Sequence, residues 1–473
     1  MAIPHSLLTI SQKPRERRAA HCSATLGDVA DTYLDTQVDV VIIGAGAAGL
    51  VALRELDRAG VSVLGLEARD RIGGRAFTLH DPMCPVPIEL GAEFVHGLPH
   101  EIAEEAKSSK LAIYDVTLQT VRVDVANGKI EGGDDLSEEI DRLFDEMTKF
   151  SAKENDMAFS EWLKKTSYSN EVKKRATSFV EGFNAAYGER IGIKSLALDM
   201  RASEKIGADR NHRILNGYDA VMQSVLNGVY QANSKLRLNR VVEQITWAPG
   251  KATVHVRSRA TSDLEIVQCR KVIVTIPLGV LQSEPDTRGA IRFDPEPTAI
   301  LQAARKLCFG QVVRIVLRFR EAFWEKLTQL SDASFLFSEA PPFPTWWTTA
   351  PMRTSIITAW SAGPNADSLL KQSELEIREA ALASLNRITL RSVPQMRDLL
   401  EQAYLHKWNA DPFARGAYSY VPAGAMQDRD QLTEPVGKTL YFAGEATENT
   451  GHGSTVNGAM ATGKRVAAQV LKS

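Results

Sequence analysis

A chain of 473 residues is too long for one compact core and points to two or three domains. Its 44% hydrophobic and 24% charged content excludes a low-complexity or disordered chain, and 56 Lys and Arg against 58 Asp and Glu leave a net charge of −2, too little to gather nucleic acid. The four cysteines, Cys22, Cys84, Cys269 and Cys308, show neither metal-ligand spacing nor a disulfide framework, so buried thiols and no metal are expected.

In chain order, residues 1–37 carry a basic cluster, Lys13-Pro14-Arg15-Glu16-Arg17-Arg18, with no apolar run behind it long enough for an export signal. The expectation is an extension that packs on the surface or stays disordered, in a cytoplasmic protein. The C-terminal end carries no apolar stretch of membrane-spanning length. Val38 to Ile43 reads as a buried parallel strand, followed at once by Gly44-Ala45-Gly46-Ala47-Ala48-Gly49 and an Ala/Leu-rich segment of helical period. In such a strand-turn-helix, Gly44 permits the turn, Gly46 lets the backbone approach a pyrophosphate and Gly49 lets helix and strand pack closely, so that amides at the helix start face phosphates. A second strand, Val61 to Leu66, ends at Glu67, spaced as the acid that accepts hydrogen bonds from adenosine ribose hydroxyls. A dinucleotide site is implied.

The following run, Glu67-Ala68-Arg69-Asp70-Arg71-Ile72-Gly73-Gly74-Arg75, adds a glycine pair and three arginines suited to a phosphate-bearing cofactor. Here the chain resembles the flavin-containing amine oxidase family, which includes monoamine oxidases, polyamine oxidases and lysine-specific histone demethylases. The resemblance implies FAD, with Ala68, Arg69, Gly74 and Arg75 joining the glycine turn and Glu67 around it. Farther on, Ile88-Glu89-Leu90-Gly91-Ala92-Glu93-Phe94-Val95-His96-Gly97 is similar to the polyamine oxidase segment that passes beneath the flavin, with Leu90, Gly91, Ala92 and Glu93 at the cofactor and Glu93 and His96 on the substrate wall. The bland alternative for these is a turn with solvated polar residues.

From 101 to 212 the pattern is helical and charged: Leu136 to Phe150, Phe159 to Lys165, Glu171 to Gly182 and Ile193 to Lys205 carry apolar residues at three and four spacing. Leu236 to Ile245 reads as a strand that, by the resemblance, offers backbone groups at Val242 to the adenine; an edge strand without a ligand is the alternative. Lys271 to Leu281 is a buried strand stopped by Pro277, which the family places, with Thr275, beside FAD. Gln311 to Phe319, Ser334 to Phe337, Thr345 to Thr349 and Ser355 to Trp360 are β-rich runs. The family lysine that reaches the flavin through a water falls by position at Arg314, which keeps the charge but is bulkier and very hard to deprotonate.

In Trp408-Asn409-Ala410-Asp411-Pro412-Phe413-Ala414-Arg415-Gly416-Ala417-Tyr418, the resemblance puts Tyr418 upright before the flavin, with Trp408 nearby; buried aromatic packing is the alternative for both. Ala417 stands where monoamine oxidases carry the cysteine that bonds to the flavin, so FAD is expected to be non-covalent. The chain closes with a strand through Phe442, then Gly444 and Glu445, then Thr455 and Val456 opening a helix whose first amides would face the flavin; Thr455 replaces a second aromatic of some relatives.

The fold expected is α/β with α+β, a Rossmann-type FAD-binding domain (38–100, 213–289, 431–473) interleaved with a substrate domain of helices (101–212) and mixed sheet (290–430). The activity implied is an amine oxidase: hydride transfer from the amine α-carbon to the flavin, O2 reduced to H2O2, and imine hydrolysis. Polyamines are the first choice because Glu89 to Glu93 and His96 look like polyamine oxidase residues, and carboxylates suit extended cations. The rivals are an amino-acid oxidase, with Arg314 taking the substrate carboxylate, and an FAD-binding module without turnover. Expected partners are an amine and O2 for a monomer or homodimer, with no nucleic acid and no membrane.

Overall fold

The computed structural model describes residues 36–116, 119–124, 129–132, 137–150, 155–232, 234–338 and 341–473; nearly all of the N-terminal extension, with Cys22, lies outside the described residues. The apolar residues Val40 to Ile43 lie in the strand Thr36–Ile43, flanked by parallel strands on both sides, Val63–Leu66 and Leu264–Val274. A strand covered on both faces needs apolar residues at consecutive positions, and Val40 to Ile43 are all buried. The eight-stranded sheet continues outward through Ser234–Arg237 on one side and through Lys251–Ser258, Arg240–Ala248 and Arg292–Asp294 on the other. Leu440–Phe442 adds in parallel to the end of Leu264–Val274. One face is covered by the first helix, Ala47–Arg58, and the last, Val456–Leu471, which pack on each other. Where they cross, a Cβ on Gly463 would run into the Ala48 carbonyl.

A second, mostly antiparallel sheet has the order Leu400–Leu405, Val312–Phe319, Ile356–Ala362, Thr345–Thr348, Ala333–Ser338, Gln119–Asp124, Lys129–Gly132. The helix Glu374–Thr389 buries Ile377, Ala381, Leu385 and Ile388 in the same apolar cluster as Ile315, Leu317 and Ile357. Both sheets belong to one unit, built from chain segments that pass back and forth between them.

Three local features differ from the sequence reading. The segment expected to be helical also supplies Gln119–Asp124 and Lys129–Gly132, short strands whose alternation of apolar and charged residues is too brief to stand out. The segment expected as sheet contains helices at Thr298–Lys306, Glu374–Thr389 and Val393–Leu399. A capping box marks the second: the Ser373 hydroxyl accepts from Glu376 N–H while Glu376 accepts from Ser373 N–H. The single strand expected from Leu236 to Ile245 is divided at Asn239, whose φ of 56° turns the chain between Ser234–Arg237 and Arg240–Ala248.

Candidate cofactor and substrate site

The first strand ends in a turn that only glycine makes without strain, with Gly44 at φ 102°. Thr275, at the end of the neighbouring parallel strand, braces that turn, its hydroxyl donating to the Ile43 carbonyl (2.8 Å) and the Gly44 carbonyl (3.2 Å). Gly49 is required by packing, because a Cβ there would fall inside the Gly44 carbonyl oxygen. Gly46 is not: a Cβ there would meet no protein atom nearer than Gly74 Cα at 4.0 Å. The helix that starts at Ala47 has no side-chain cap and no acidic residue in its first turn. The first amides of a helix, here those of Ala47 and Ala48, have no intrahelical acceptor and carry the positive end of the helix dipole. Glu67 sits buried at the end of the second strand, one oxygen accepting from Ala45 N–H and the other from Arg69 N–H, each 2.8 Å. Both oxygens keep lone pairs for a further donor, in a fixed orientation.

The arginines divide by partner. Arg69 pairs with Asp411 (2.8 Å), and Arg75 donates to Glu445 (2.8 Å) and to the Ala417 carbonyl (2.7 Å), so both brace the loop against distant segments. Arg259 donates to the Ala68 carbonyl at 3.1 Å. Arg71 lies 3.8 Å over the Phe77 ring with Nη2 buried and unpartnered, and burial together with Arg69 lowers its pKa to about 10. Nothing in the sequence singles out Arg71 among the three arginines of its run. It differs from its neighbours only in lacking a carboxylate, which composition does not reveal.

The second junction leaves the same edge of the same sheet. After Leu440–Phe442, Gly444 donates its N–H to Thr462 (2.9 Å), and buried Glu445 accepts from Arg75 and from the Ser419 hydroxyl (2.7 Å). Thr455 caps the last helix, its hydroxyl accepting from Gly458 N–H at 3.0 Å, and no acid occupies the first turn from Val456 onward. Val242 is buried at a bulge in its strand, and Pro277 begins the short helix Leu278–Leu281.

On the opposite side, the segment from Leu90 to Glu93 is fixed by side chains. The Leu90 carbonyl accepts from the Trp408 indole (2.8 Å), the Gly91 carbonyl from Arg314 (2.7 Å), and Ala92 N–H donates to the Arg75 carbonyl (3.1 Å). Glu93 accepts from Arg213 (2.6 Å), from Arg314 and from the Trp347 indole (3.0 Å). Burial pushes its carboxyl up, but the two guanidiniums outweigh burial and hold it below the usual carboxylate range. Arg213 also binds the Thr348 carbonyl (2.9 Å). Glu93 and Arg314 close on each other, so neither is a lone charge, with Arg314 Nε buried and unpartnered. Trp408, 4% exposed, is a strut under Leu90. Glu89 accepts from Thr78 and Tyr218 N–H, and burial raises its pKa to about 8, so it is protonated at neutral pH. Of the two carboxylates expected to draw extended cations, Glu89 is thus neutral and Glu93 is ionised but paired with two guanidiniums. Arg213 was missed as a site residue, since it lies 120 positions from Glu93 and no local pattern links them.

Tyr418 and His96 come together through Phe183. The Tyr418 hydroxyl donates to the Phe183 carbonyl (2.8 Å), and the Phe183 ring meets the His96 ring at 5.4 Å. Burial raises the Tyr418 pKa and lowers that of His96, so both are neutral at neutral pH. His96 Nδ1 lies 2.6 Å from Asn211 Oδ1, and with the Asn211 amide in this orientation Nδ1 carries the proton and Nε2 is an acceptor. Phe94, between His96 and Trp347, continues the aromatic wall.

Among the described residues no group of three His, Cys, Asp or Glu side chains forms a metal-ligand set, and no helix is long and apolar enough to cross a membrane. The uncapped helix start at Ala47, the start of the last helix with no acid in its first turn, the open approach at Gly46, the unpartnered Arg71 donor and the oriented Glu67 fit a flavin dinucleotide. Comparison with known proteins agrees. The chain is 26% identical over 513 residues to lysine-specific histone demethylase 1 homolog 3 of Arabidopsis thaliana, an alignment covering 91% of the chain but only 30% of that protein. It is 26% identical to polyamine oxidase 4 of Oryza sativa subsp. japonica, covering 92% of the chain and 88% of that protein. The fold matches putrescine oxidase bound to putrescine with a TM-score of 0.77 at 23% identity, over 93% of this chain and 100% of that one. The family described as flavin containing amine oxidoreductase matches residues 47–471, and the chain belongs to it.

Proposed function

We propose that the protein is an FAD-dependent oxidase of small amines that uses O2 as acceptor and holds its cofactor without a covalent bond. The observation that carries this reading is the convergence of two helix starts, at Ala47 and Val456, on one sheet edge, with an aromatic wall of neutral side chains on the other side. FAD, when bound, supplies the two-electron chemistry, taking a hydride from the amine α-carbon to leave an imine that water hydrolyses, and passing the electrons to O2 to give H2O2. The amides of Ala47 and Ala48 and the Arg71 guanidinium hold the pyrophosphate, and Glu67 the adenosine ribose. The start of the last helix favours negative charge by about 0.3–2 kcal/mol. At Ala417 a methyl group stands where a covalent link would need a nucleophile.

The chain's own groups leave the amine free to react. Tyr418 and Phe94 make a water-poor wall that orients it, and His96 Nε2 accepts one of its N–H groups. Arg314 stays protonated and takes no proton from substrate. Both Arg314 and Arg213 are closed on Glu93, which favours an amine over an amino acid, whose carboxylate needs an open arginine. The similarity to polyamine and putrescine oxidases keeps diamines in the candidate set.

The test is anaerobic addition of simple monoamines, putrescine, spermidine, spermine and amino acids to the purified holoprotein, followed by air. Bleaching of the flavin by amines, peroxide on reoxidation, and a kcat/KM that rises with pH as the amine loses its proton are expected. A yellow protein bleached by none would point to a binding module, and bleaching by amino acids alone to the rival oxidase.

A further inference from the structure

We propose that Phe179 and Phe183 form the recognition surface for the non-reacting end of the substrate, and that this end is apolar, preferably aromatic, and not a second cationic group. The inference rests on the amine-oxidase reading and narrows its substrate class.

The helix Asn170–Asn184 buries Val172, Ala176 and Val180 as its core face. Phe179 and Phe183 lie outside that face, one turn apart, 50% and 52% exposed, their rings stacked at 5.5 Å and 9°. Phe179 also meets the Phe144 ring at 5.3 Å, yet about half of each ring of the pair stays in water on a helix otherwise rich in Lys and Glu, which marks a surface that binds something. Phe183 is also joined to the site: its carbonyl receives the Tyr418 hydroxyl and its ring meets His96. Beyond it, Trp360 donates to the Gly182 carbonyl at 3.0 Å, so the end of the helix is pinned over the site by two aromatic residues. From Phe183 the rings continue inward through His96 and Phe94 to Trp347, over which Arg314 lies at 5.3 Å. An apolar amine passes along this run without losing contact with an aromatic surface.

Charge points the same way. At the inner end, two guanidiniums share one carboxylate, leaving a net positive cluster of Arg213, Arg314 and Glu93. Along this run of rings the carboxylate that touches Trp347, Glu93, is already shared by the two guanidiniums, so a distal ammonium gains attraction to aromatic faces but no pairing from it.

The probes are benzylamine, n-hexylamine, n-propylamine, putrescine and spermidine, each reducing the holoenzyme anaerobically. Benzylamine and hexylamine are expected to half-saturate at concentrations about tenfold or more below those of the diamine and triamine. Phe183→Ala should raise the benzylamine half-saturation about tenfold, by losing part of one ring's burial, while changing the propylamine value far less. It should weaken binding of benzyl alcohol, which has no amine to oxidise, by a similar factor in calorimetry. Phe183→Leu should recover most of both, and Phe179→Ala should show a smaller loss. The inference is overturned if spermidine or putrescine saturates at the lowest concentration. It is equally overturned if Phe183→Ala affects every amine alike, or if it leaves all of them unchanged and shifts the oligomeric state instead, which would make the Phe pair a protein contact. Reduction by none of the amines would sink the oxidase reading as well, whereas reduction by polyamines alone sinks only this one.

Discussion

Around Gly44 and Gly444 the site is made of backbone, with turns fixed by glycine and two helix starts that carry no acid in their first turns. Around Glu93 it is made of side chains from four distant parts of the chain, and there the strong donors and acceptors largely find each other. The first region is open in the electrostatic sense and awaits an anion. The second is closed, holding positive charge in place. Recognition of the cofactor and shaping of the substrate side therefore make opposite demands on polar groups.

The sharpest way to break this comparison is to open the closed side. Glu93→Gln leaves Arg213 and Arg314 facing each other without a carboxylate, and loss of one partner from a buried ion-pair cluster costs about 3–5 kcal/mol. Urea unfolding of the flavin-free protein should show that loss; a change near zero would mean that the cluster is not closed.

Protonation separates Glu93 from its neighbour Glu89. Glu89 has a folded pKa raised to about 8, so its stabilising contribution is complete below the ordinary carboxyl range and is lost as pH rises toward 8. Glu93 has a lowered folded pKa, so its contribution is present above the ordinary range and is lost in acid. Between pH 5 and 7, Glu89→Gln should remove a decline of up to about 1.4 kcal/mol per pH unit. An unchanged slope of stability against pH would contradict the buried, protonated Glu89.

On the open side, Gly46→Ala finds room in the protein, so the flavin-free form should unfold as the natural chain does. Flavin affinity should nevertheless fall about tenfold or more, about 1.4 kcal/mol, because the added methyl stands where the cofactor approaches. Equal affinity would place the cofactor elsewhere. Smallest is Thr455→Ala, which removes the cap of the last helix at about 1 kcal/mol, read as a modest drop in melting temperature.

The same contrast explains what the sequence made legible. Gly44, Gly46, Gly49 and Glu67 lie at strand ends and at the turn into a helix, positions that neighbouring residues define, so spacing alone is enough to place them there. The helices Phe159–Lys165 and Ile193–Lys205 were readable for the same reason, since periodicity is local. Glu93 and Arg314 were picked out from the resemblance, but their mutual pairing and Arg213 depend on contacts across 120 and 221 positions, which no window along the chain contains. The helix Glu374–Thr389 was legible in principle through Ser373 and Glu376, and its neighbourhood of strands obscured it.

The central claim, that the junctions at Gly44 and Thr455 together hold one flavin whose electrons come from an amine, has a direct test. The visible spectrum of the purified protein is recorded before and after anaerobic addition of benzylamine or putrescine. The account predicts a yellow protein whose flavin bands bleach with an amine and return with air. A colourless protein that FAD does not reconstitute, or a flavin that no amine reduces, would contradict it.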